Sequence, residues 1–464
     1  MATTTSSFLI NKPSDFHHHL RDGEQAQSLL RILDFKFDYV LAMPNLSPPL
    51  FTVEDVLKYR ARLDSRLVED ALVSRCRILF TLYLTEETKE EDVHAAAAAR
   101  GEEGGGRLIV GYKYYPRGAT TNSEYGVRSF SRIKAGVLRA LEEENMVLLI
   151  HGETTDEATD FCLREKAFID TELAPLVQAH PSLKIVFEHI STKAAVDFVL
   201  SCSQRVGATI TPHHLRYTRL DLERRRSGGN VSSCGCANSS ASSSPDGDAR
   251  DTSMTTSNST GTAAGEGADV DPFLYCYPIL KDETDRQSLM WAATSGNEKF
   301  FFGSDSAPHS IALKTSKTSS SHSSSSSSSS TKGLPPAGIY NAPVSIELLA
   351  TVFEERNALD MLEGFASDFG PAFYNLPVLV LPPVHDVLPV PSSRSAEVEA
   401  EVEVEVQVVE RSKIRLVKES WLVPMSHPFG GSSSSSSSDT GDGKDFVVRS
   451  LCAGLDMGWR VCGV

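Results

Sequence analysis

Three consecutive histidines in DFHHHLRDG, residues 15 to 23, are the first residues of the chain whose types and spacing suggest chemistry. In a β-strand, successive side chains point to opposite faces. His17 and His19 would therefore share a face and could hold one metal ion, whereas His18 would pack among the surrounding elements. An HxH pair alone is weak evidence for a metal, because exposed and core histidines often produce it.

Four further residues stand where short apolar runs end, namely Lys113, His151, His189 and Asp305. Taken singly, each histidine could be packed under a loop, and the aspartate could cap a helix. Together, four histidines and one carboxylate at the same end of a set of strands would be costly to assemble without a cation. Nitrogen and oxygen donors of this kind suit zinc, with cobalt or manganese as substitutes.

Lys113 differs from the other members of this group. A protonated amine beside metal ions would be repelled by them. At such a site we expect the lysine to be either neutral or chemically modified.

Eight short apolar runs position these residues: SFLINKPSDFHHHL, YVLAMPN, RILFTLYL, RLIVGYKYYP, VLLIHGE, KIVFEHI, GATITPHH and KFFFGSDSAPH. Stretches with helical periodicity lie between them, for example VEDVLKYRARLDSRLVEDALV and VRSFSRIKAGVLRALEEEN. Eight β-α alternations predict an α/β fold, a (β/α)8 TIM barrel, whose catalytic face lies at the carboxyl ends of the strands. An open doubly wound sheet is the alternative, but no GxGxxG motif follows the first strand.

The 464 residues of the chain exceed the roughly 250 of a typical (β/α)8 barrel. Serine- and glycine-rich blocks at about 226–269, 315–333 and 430–444 account for the excess. Such blocks bury too little apolar surface to offset the entropy of ordering, so we expect disordered insertions. The remainder is expected to form a single barrel domain within residues 1–464, with a C-terminal extension.

Composition narrows the class of partner. The net charge of −16 argues against nucleic acid or an anionic membrane and favours a small-molecule enzyme. No apolar run approaches the roughly 18 residues that span a bilayer, and the cysteines lack paired CxxC spacing, as in reduced intracellular proteins. Only MATTTSS precedes the first strand-like run, so a cytoplasmic location is expected, with plastid or mitochondrion as alternatives if the N-terminus is incomplete.

Many separate motifs of the chain resemble those of dihydroorotases of the short bacterial and plant type, within the amidohydrolase superfamily. The matching stretches are DFHHHLRDG, MPNLSPP, GYKYYPRGATTNS, LLIHGE, VFEHISTK, ATITPHHL, LYCYPILK, GSDSAPH, YNAPVSIELLATVFEE and WLVP. They occur in the family's order and cover nearly the whole chain outside the insertions.

This resemblance implies a binuclear zinc centre with two Zn²⁺ per subunit. Lys113 would be carbamylated, as N6-carboxylysine, and would bridge both ions. Carbamylation replaces a positive charge with a negative one, which removes the difficulty of a lysine beside cations. The implied ligands are His17, His19, Lys113 and Asp305 for one zinc, and Lys113, His151 and His189 for the other.

The resemblance also implies how a substrate would be held. The expected contacts are Arg21, Asn45 and His309 at the substrate carboxylate, Thr120 and Thr121 on a mobile loop, and His151, Tyr277 and Ala337 elsewhere. A planar guanidinium suits this role because it can bind a carboxylate through two hydrogen bonds. Two departures affect the last two positions. The second serine-rich block separates His309 from Ala337, and Tyr277 stands where bacterial relatives carry leucine.

The implied activity is that of a dihydroorotase, which reversibly cyclises N-carbamoyl-L-aspartate to (S)-dihydroorotate and water, the third step of de novo pyrimidine biosynthesis. Asp305 would move the proton, and the enzyme would be a homodimer. The nearest rival is another cyclic amidohydrolase, such as a dihydropyrimidinase, hydantoinase or allantoinase, but an uncharged ring would leave Arg21 unpaired. A non-catalytic assembly partner is a second alternative, which the complete set of ligand positions disfavours.

Overall fold

The computed structural model describes residues 7–69, 76–101, 106–223, 270–316 and 334–377, and the short segments 413–418, 421–422, 427–429, 446–448, 456–457 and 460–463. The predicted insertions at 226–269 and 430–444 lie outside the described residues, as does 317–333 of the middle block. Thr315, at the expected start of that block, still belongs to a helix.

Eight parallel strands form a nearly closed barrel in chain order, which confirms the predicted fold class. A first strand, β1 (Ser7–Asn11), precedes them. The barrel strands are β2 (Asp15–His18), β3 (Tyr39–Ala42), β4 (Arg77–Tyr83), β5 (Ile109–Tyr114), β6 (Val147–Ile150), β7 (Lys184–Phe187), β8 (Val206–Ile210) and β9 (Phe300–Phe302). The ring closes where His18 forms a parallel bridge with Ser306, just beyond β9.

Except for β2, whose sequence is DFHH, the barrel strands are mostly apolar because both of their faces are buried. Their outer faces pack against helices in one large core. Their inner faces form a separate cluster that includes Phe16, Leu149, Val186 and Phe301. Phe16 stacks on Tyr374 with ring centroids 4.8 Å apart. This packing fills the amino end of the barrel, so the polar site lies at its carboxyl end.

Helices cover the outside of the barrel. They are α1 (Gly23–Lys36), α2 (Val53–Glu69), α3 (Glu90–Ala98), α4 (Ala135–Glu143), α5 (Arg164–Phe168), α6 (Ala174–Ala179), α7 (Lys193–Ser201), α8 (Pro212–Arg216), α9 (Arg219–Glu223), α10 (Glu283–Thr294), α11 (Ile311–Thr315), α12 (Ser345–Glu355) and α13 (Phe369–Phe373). Short 3-10 turns lie at Phe130–Arg132 and Leu359–Met361, and π-helical turns at Ile169–Leu173 and Gly364–Asp368. Within the described parts of the chain, none of the helices is both long and apolar enough to cross a membrane.

The first apolar run of the sequence contains two strands rather than one. Only its second half, β2, enters the barrel. The first half, β1, pairs antiparallel with β10 (Lys413–Val417), which in turn pairs antiparallel with β15 (Arg460–Gly463).

Four short strands lie between these two in the described part of the chain: β11 (Trp421–Leu422), β12 (His427–Phe429), β13 (Phe446–Val448) and β14 (Asp456–Met457).

Candidate active site

The carboxyl ends of five barrel strands carry the predicted metal ligands. His17 lies on β2 and Lys113 on β5, whereas His151 directly follows β6. His189 and Asp305 come shortly after β7 and β9. Because parallel strands end at the same rim of a barrel, these residues meet although the chain separates them widely.

Two imidazoles converge on the carboxylate of Asp305. His17 Nε2 lies 3.4 Å, and His19 Nε2 3.1 Å, from Asp305 Oδ1. A single ion could be bound by these three atoms, and His17 and His19 share a side as the alternation within the histidine run predicts.

A second pair of imidazoles lies beside this group. His151 Nδ1 is 3.2 Å from His189 Nε2. The ring of His189 also lies 4.9 Å from that of His17, centroid to centroid, so the two groups adjoin. Lys113 is completely buried among them. The structure thus brings together all six residues that the sequence suggested as ligands.

Burial controls the charge of these groups. It lowers the pKa of His17 well below 6.5, and the nearby Lys113 lowers it further. Burial likewise lowers the pKa of His189, with His151 adding to the effect. The pKa of Lys113 also falls well below 10.5 because its amine is desolvated. Neutral imidazole is the form that binds a metal, so the site is electrostatically prepared for cations.

A hydrogen-bond acceptor lies against the outward-facing nitrogen of two of these histidines. The atom pairs are His19 Nδ1 with Asn45 Oδ1 and His151 Nε2 with Glu153 Oε2, both at 2.9 Å. Metal-binding histidines commonly donate their second N–H in this way, which orients the ring and fixes its tautomer. The other nitrogen of each ring is left facing the centre of the site.

His18 faces away from this centre, as the alternation argument predicted. Its Nδ1 lies 2.8 Å from Asp15 Oδ2, and both side chains are fully buried. Asp15 also accepts hydrogen bonds from the backbone N–H and the hydroxyl of Ser304. His18 therefore helps to hold the end of β9 against β2.

Glu188 is a residue of the site that the sequence did not suggest. In a regular strand, Glu188 and its neighbour His189 would point to opposite faces. His189, however, has a φ of 41°, in the left-handed region, so both side chains face the barrel axis. The sequence did not suggest Glu153 either. Because Glu153 stands two residues after His151, side-chain alternation would place both on the same side.

Arg21 and His309 lie together at the mouth of the site. Arg21 Nη2 is 3.3 Å from His309 Nε2, which lies 2.9 Å from the carbonyl oxygen of Ala337. Burial lowers the pKa of Arg21 to about 10, so the guanidinium still carries its positive charge at neutral pH. Asn45 lies apart from this pair. Its amide nitrogen donates to the carbonyl oxygen of Thr121 at 3.2 Å.

A cavity opens to solvent above the histidines. Of the predicted residues, its walls include His17, His19, Arg21, Asn45, Thr120, Thr121, His151, His189, Tyr277, Asp305 and Ala337. The hydroxyl of Tyr277 is 2.7 Å from that of Tyr275. Lys113 and His309 are the two predicted residues that do not line this cavity.

The barrel and the side chains at its rim define the class of protein, a metal-dependent amidohydrolase. The L-hydantoinase of Arthrobacter aurescens has the same fold, with a TM-score of 0.54 and 14% identity over 80% of this chain and 72% of that chain. No family model matches the chain.

Relatives with higher identity narrow this class. The dihydroorotase of Coxiella burnetii is 38% identical over 450 residues, which cover 97% of this chain and 96% of the relative. A crystal structure of dihydroorotase from Saccharomyces cerevisiae, in complex with 5-fluoroorotic acid, matches with a TM-score of 0.67 and 26% identity, covering 98% of both chains. The chain belongs to the dihydroorotase family and is a cyclic amide hydrolase.

Proposed function

We propose that this cavity carries out the reversible ring closure of N-carbamoyl-L-aspartate to (S)-dihydroorotate and water, a step of pyrimidine biosynthesis. The observation that carries the proposal is the juxtaposition of a cationic Arg21 with a buried cluster of metal-type ligands in one cavity. The substrate has both a carboxylate and a cyclic amide, and the two halves of the cavity suit these two groups.

Two zinc ions would be held by His17, His19 and Asp305 on one side and by His151 and His189 on the other, with carbamylated Lys113 between them. The donor set fits them, because burial lowers the pKa values of His17, His189 and Lys113, and neutral imidazole is the form that binds a metal. When bound, such ions lower the pKa of water towards neutrality and polarise an amide carbonyl.

Asp305 would act as the proton carrier. Its carboxylate is buried and faces the cavity beside His17 and His19. During ring closure it would take the proton from the carbamoyl nitrogen, and during ring opening it would return that proton to the ring nitrogen. One carboxylate can serve both directions because the two reactions are the reverse of each other.

Arg21 would bind the substrate carboxylate, with the His309 imidazole alongside. Burial lowers the pKa of His309 well below 6.5, and Arg21 adds to this effect, so the guanidinium supplies the positive charge. Thr120 and Thr121 would cover the bound ring, and the backbone of Thr121 is tied to Asn45. A neutral hydantoin would leave the buried cation unpaired, which favours dihydroorotate over it.

The test is turnover by the purified protein supplied with zinc and bicarbonate. We expect consumption of dihydroorotate and ring closure of N-carbamoyl-L-aspartate. Asp305→Asn should slow turnover by about a thousandfold, the scale of general acid–base catalysis. Asp22→Asn is the matched control, because Asp22 is 40% exposed and pairs with Arg62 outside the cavity. Hydrolysis of hydantoin without turnover of dihydroorotate would overturn the proposal.

The homodimer, the cytoplasmic location and the single-domain organisation of residues 1–464 stay predictions. Light scattering of the full chain would measure the oligomeric state. Limited proteolysis would show whether the serine-rich blocks at about 226–269 and 315–333 are cleaved while the barrel stays intact.

A further inference from the structure

Glu188 is a completely buried carboxylate beneath the proposed metal site. One of its oxygens contacts Lys113 Nζ, and the other lies 3.0 Å from His17 Nδ1. In this structure neither contact has the geometry of a hydrogen bond. Glu188 thus touches a proposed ligand of one zinc and the proposed bridge between both.

The surroundings of the Lys113 amine indicate which group could accept a hydrogen bond from it. Glu188 is the carboxylate that contacts Nζ. The ring of Tyr115 lies 5.0 Å away and offers only its face. The Glu188 carboxylate is therefore placed to accept an N–H that remains on this nitrogen.

Carbamylation leaves one such N–H in place. The neutral amine attacks the carbon of CO₂, a C–N bond forms, and one C–O π bond becomes a lone pair on oxygen. The nitrogen then releases one proton to solvent. The product, Lys–NH–COO⁻, is planar and keeps a single N–H. The direction of this N–H therefore fixes the plane of the carbamate and the side of the nitrogen on which its carboxylate group lies.

We propose that Glu188 is a positioning residue that accepts the remaining N–H of carbamylated Lys113, aiming the carbamate oxygens at both metal positions while its other oxygen orients His17. The inference rests on the proposed function, since it assumes the carbamylated lysine. It adds a residue that neither binds a metal nor touches the substrate in that proposal.

The experiment measures formation of the carbamate directly. Full-length protein is saturated with zinc and titrated with ¹³C-bicarbonate, and the carbamate carbon is followed by NMR. Lys113→Ala, which lacks the amine, identifies the signal. Glu188→Gln keeps only one acceptor oxygen for two donors, the N–H of Lys113 and the ring of His17. We therefore expect this variant to need about tenfold more bicarbonate for half-maximal carbamate formation, equivalent to about 1.4 kcal/mol.

Glu153→Gln is the matched control. It makes the same carboxylate-to-amide change beside a histidine of the site, 2.9 Å from His151 Nε2, but has no contact with Lys113. We expect its bicarbonate requirement to equal that of the wild type at saturating zinc. If Glu188→Gln does not fold, Glu188→Asp takes its place, since its shorter side chain draws the carboxylate away from Nζ.

The possible outcomes separate the two proposals. A wild-type bicarbonate requirement in the Glu188 variant would overturn the positioning role and leave the proposed function intact. An equal increase in the Glu188 and Glu153 variants would also overturn it, because the effect would then be general to the site. A wild-type protein without any carbamate signal would overturn the bridging lysine and this inference together.

Discussion

His17 and His18 are adjacent in the chain, yet their side chains have different neighbours. The imidazole of His17 lies against Asp305 and Glu188 at the centre of the site. His18 is instead paired with Asp15, in a buried contact that links β2 to the end of β9. Alternation separates these two side chains, although β2 is not regular throughout, because Phe16 also faces the barrel interior and the pairing with β3 is irregular between Asp15 and His18.

Replacing either histidine by asparagine tests this separation. His18→Asn should lower the free energy of unfolding by about 3 kcal/mol, since the partner carboxylate stays buried, but should retain zinc. His17→Asn should lose zinc and turnover. Metal content and thermal unfolding, measured on both variants, decide the matter. Equal loss of zinc from the two proteins would contradict the assignment.

The loops after the strands hold their positions through backbone conformations that few residues adopt. Arg21 and Asp305 have φ values of 62° and 46°, in the left-handed region. Gly338, beside Ala337, has a φ of 139°, and its N–H donates to the carbonyl oxygen of Tyr275. A Cβ at this glycine would lie 2.8 Å from the carbonyl oxygen of Ala307, so only glycine fits here.

Gly338→Ala should displace the loop that carries the Ala337 carbonyl and with it the support of His309. We expect KM for dihydroorotate to rise about tenfold, in line with a strain of roughly 1–3 kcal/mol. Steady-state kinetics measure the change. Gly106→Ala is the control, because a Cβ there meets nothing within 4 Å. Similar KM values for the two variants would show that this loop does not shape the cavity.

At the scale of the whole molecule, the barrel buries ionisable groups that water would otherwise solvate. Burial lowers the folded-state pKa values of His17, His19 and His189 below 6.5. As the pH falls, these histidines therefore take up protons at a higher pH in the unfolded chain than in the folded protein. Glu165 acts in the opposite sense, because burial raises its pKa from 4.5 to about 7. Its contribution to stability therefore increases as the pH falls from about 7 towards 4.5.

The metal-free protein should accordingly lose stability as the pH falls below about 6.5. In the described part of the chain, the histidines with lowered pKa values, His17, His19, His189, His213, His214 and His309, outnumber the two carboxylates with raised values, Glu165 and Asp285. Each histidine contributes up to about 1.4 kcal/mol per pH unit until its own folded-state pKa is reached. Urea unfolding at about pH 7.5, 6.5 and 5.5 measures the slope. His189→Asn should show a shallower dependence, and an unchanged slope would refute the attribution to these histidines.

Much of the fold could be predicted from local patterns. The eight apolar runs correspond to the eight barrel strands, and the polar residues at their ends meet at one rim. The division of the first run into β1 and β2 could not be predicted, since β1 is defined by its pairing with β10, about 400 residues away. Local hydrophobicity indicates a strand but does not say with which partner it pairs.

The sequence by itself determined the order of the strands, the position of each proposed ligand and the family resemblance, because these depend on local periodicity and on residue type. Only the tertiary structure placed Glu188 against Lys113 and His17, and only it showed that Gly338 requires its glycine. Backbone angles in the left-handed region occur at His189, beside Glu188, and at Gly338 itself. Such angles are stabilised by distant contacts, so the alternation that correctly separated His17 from His18 fails at His189, whose side chain faces the same side as its neighbour Glu188.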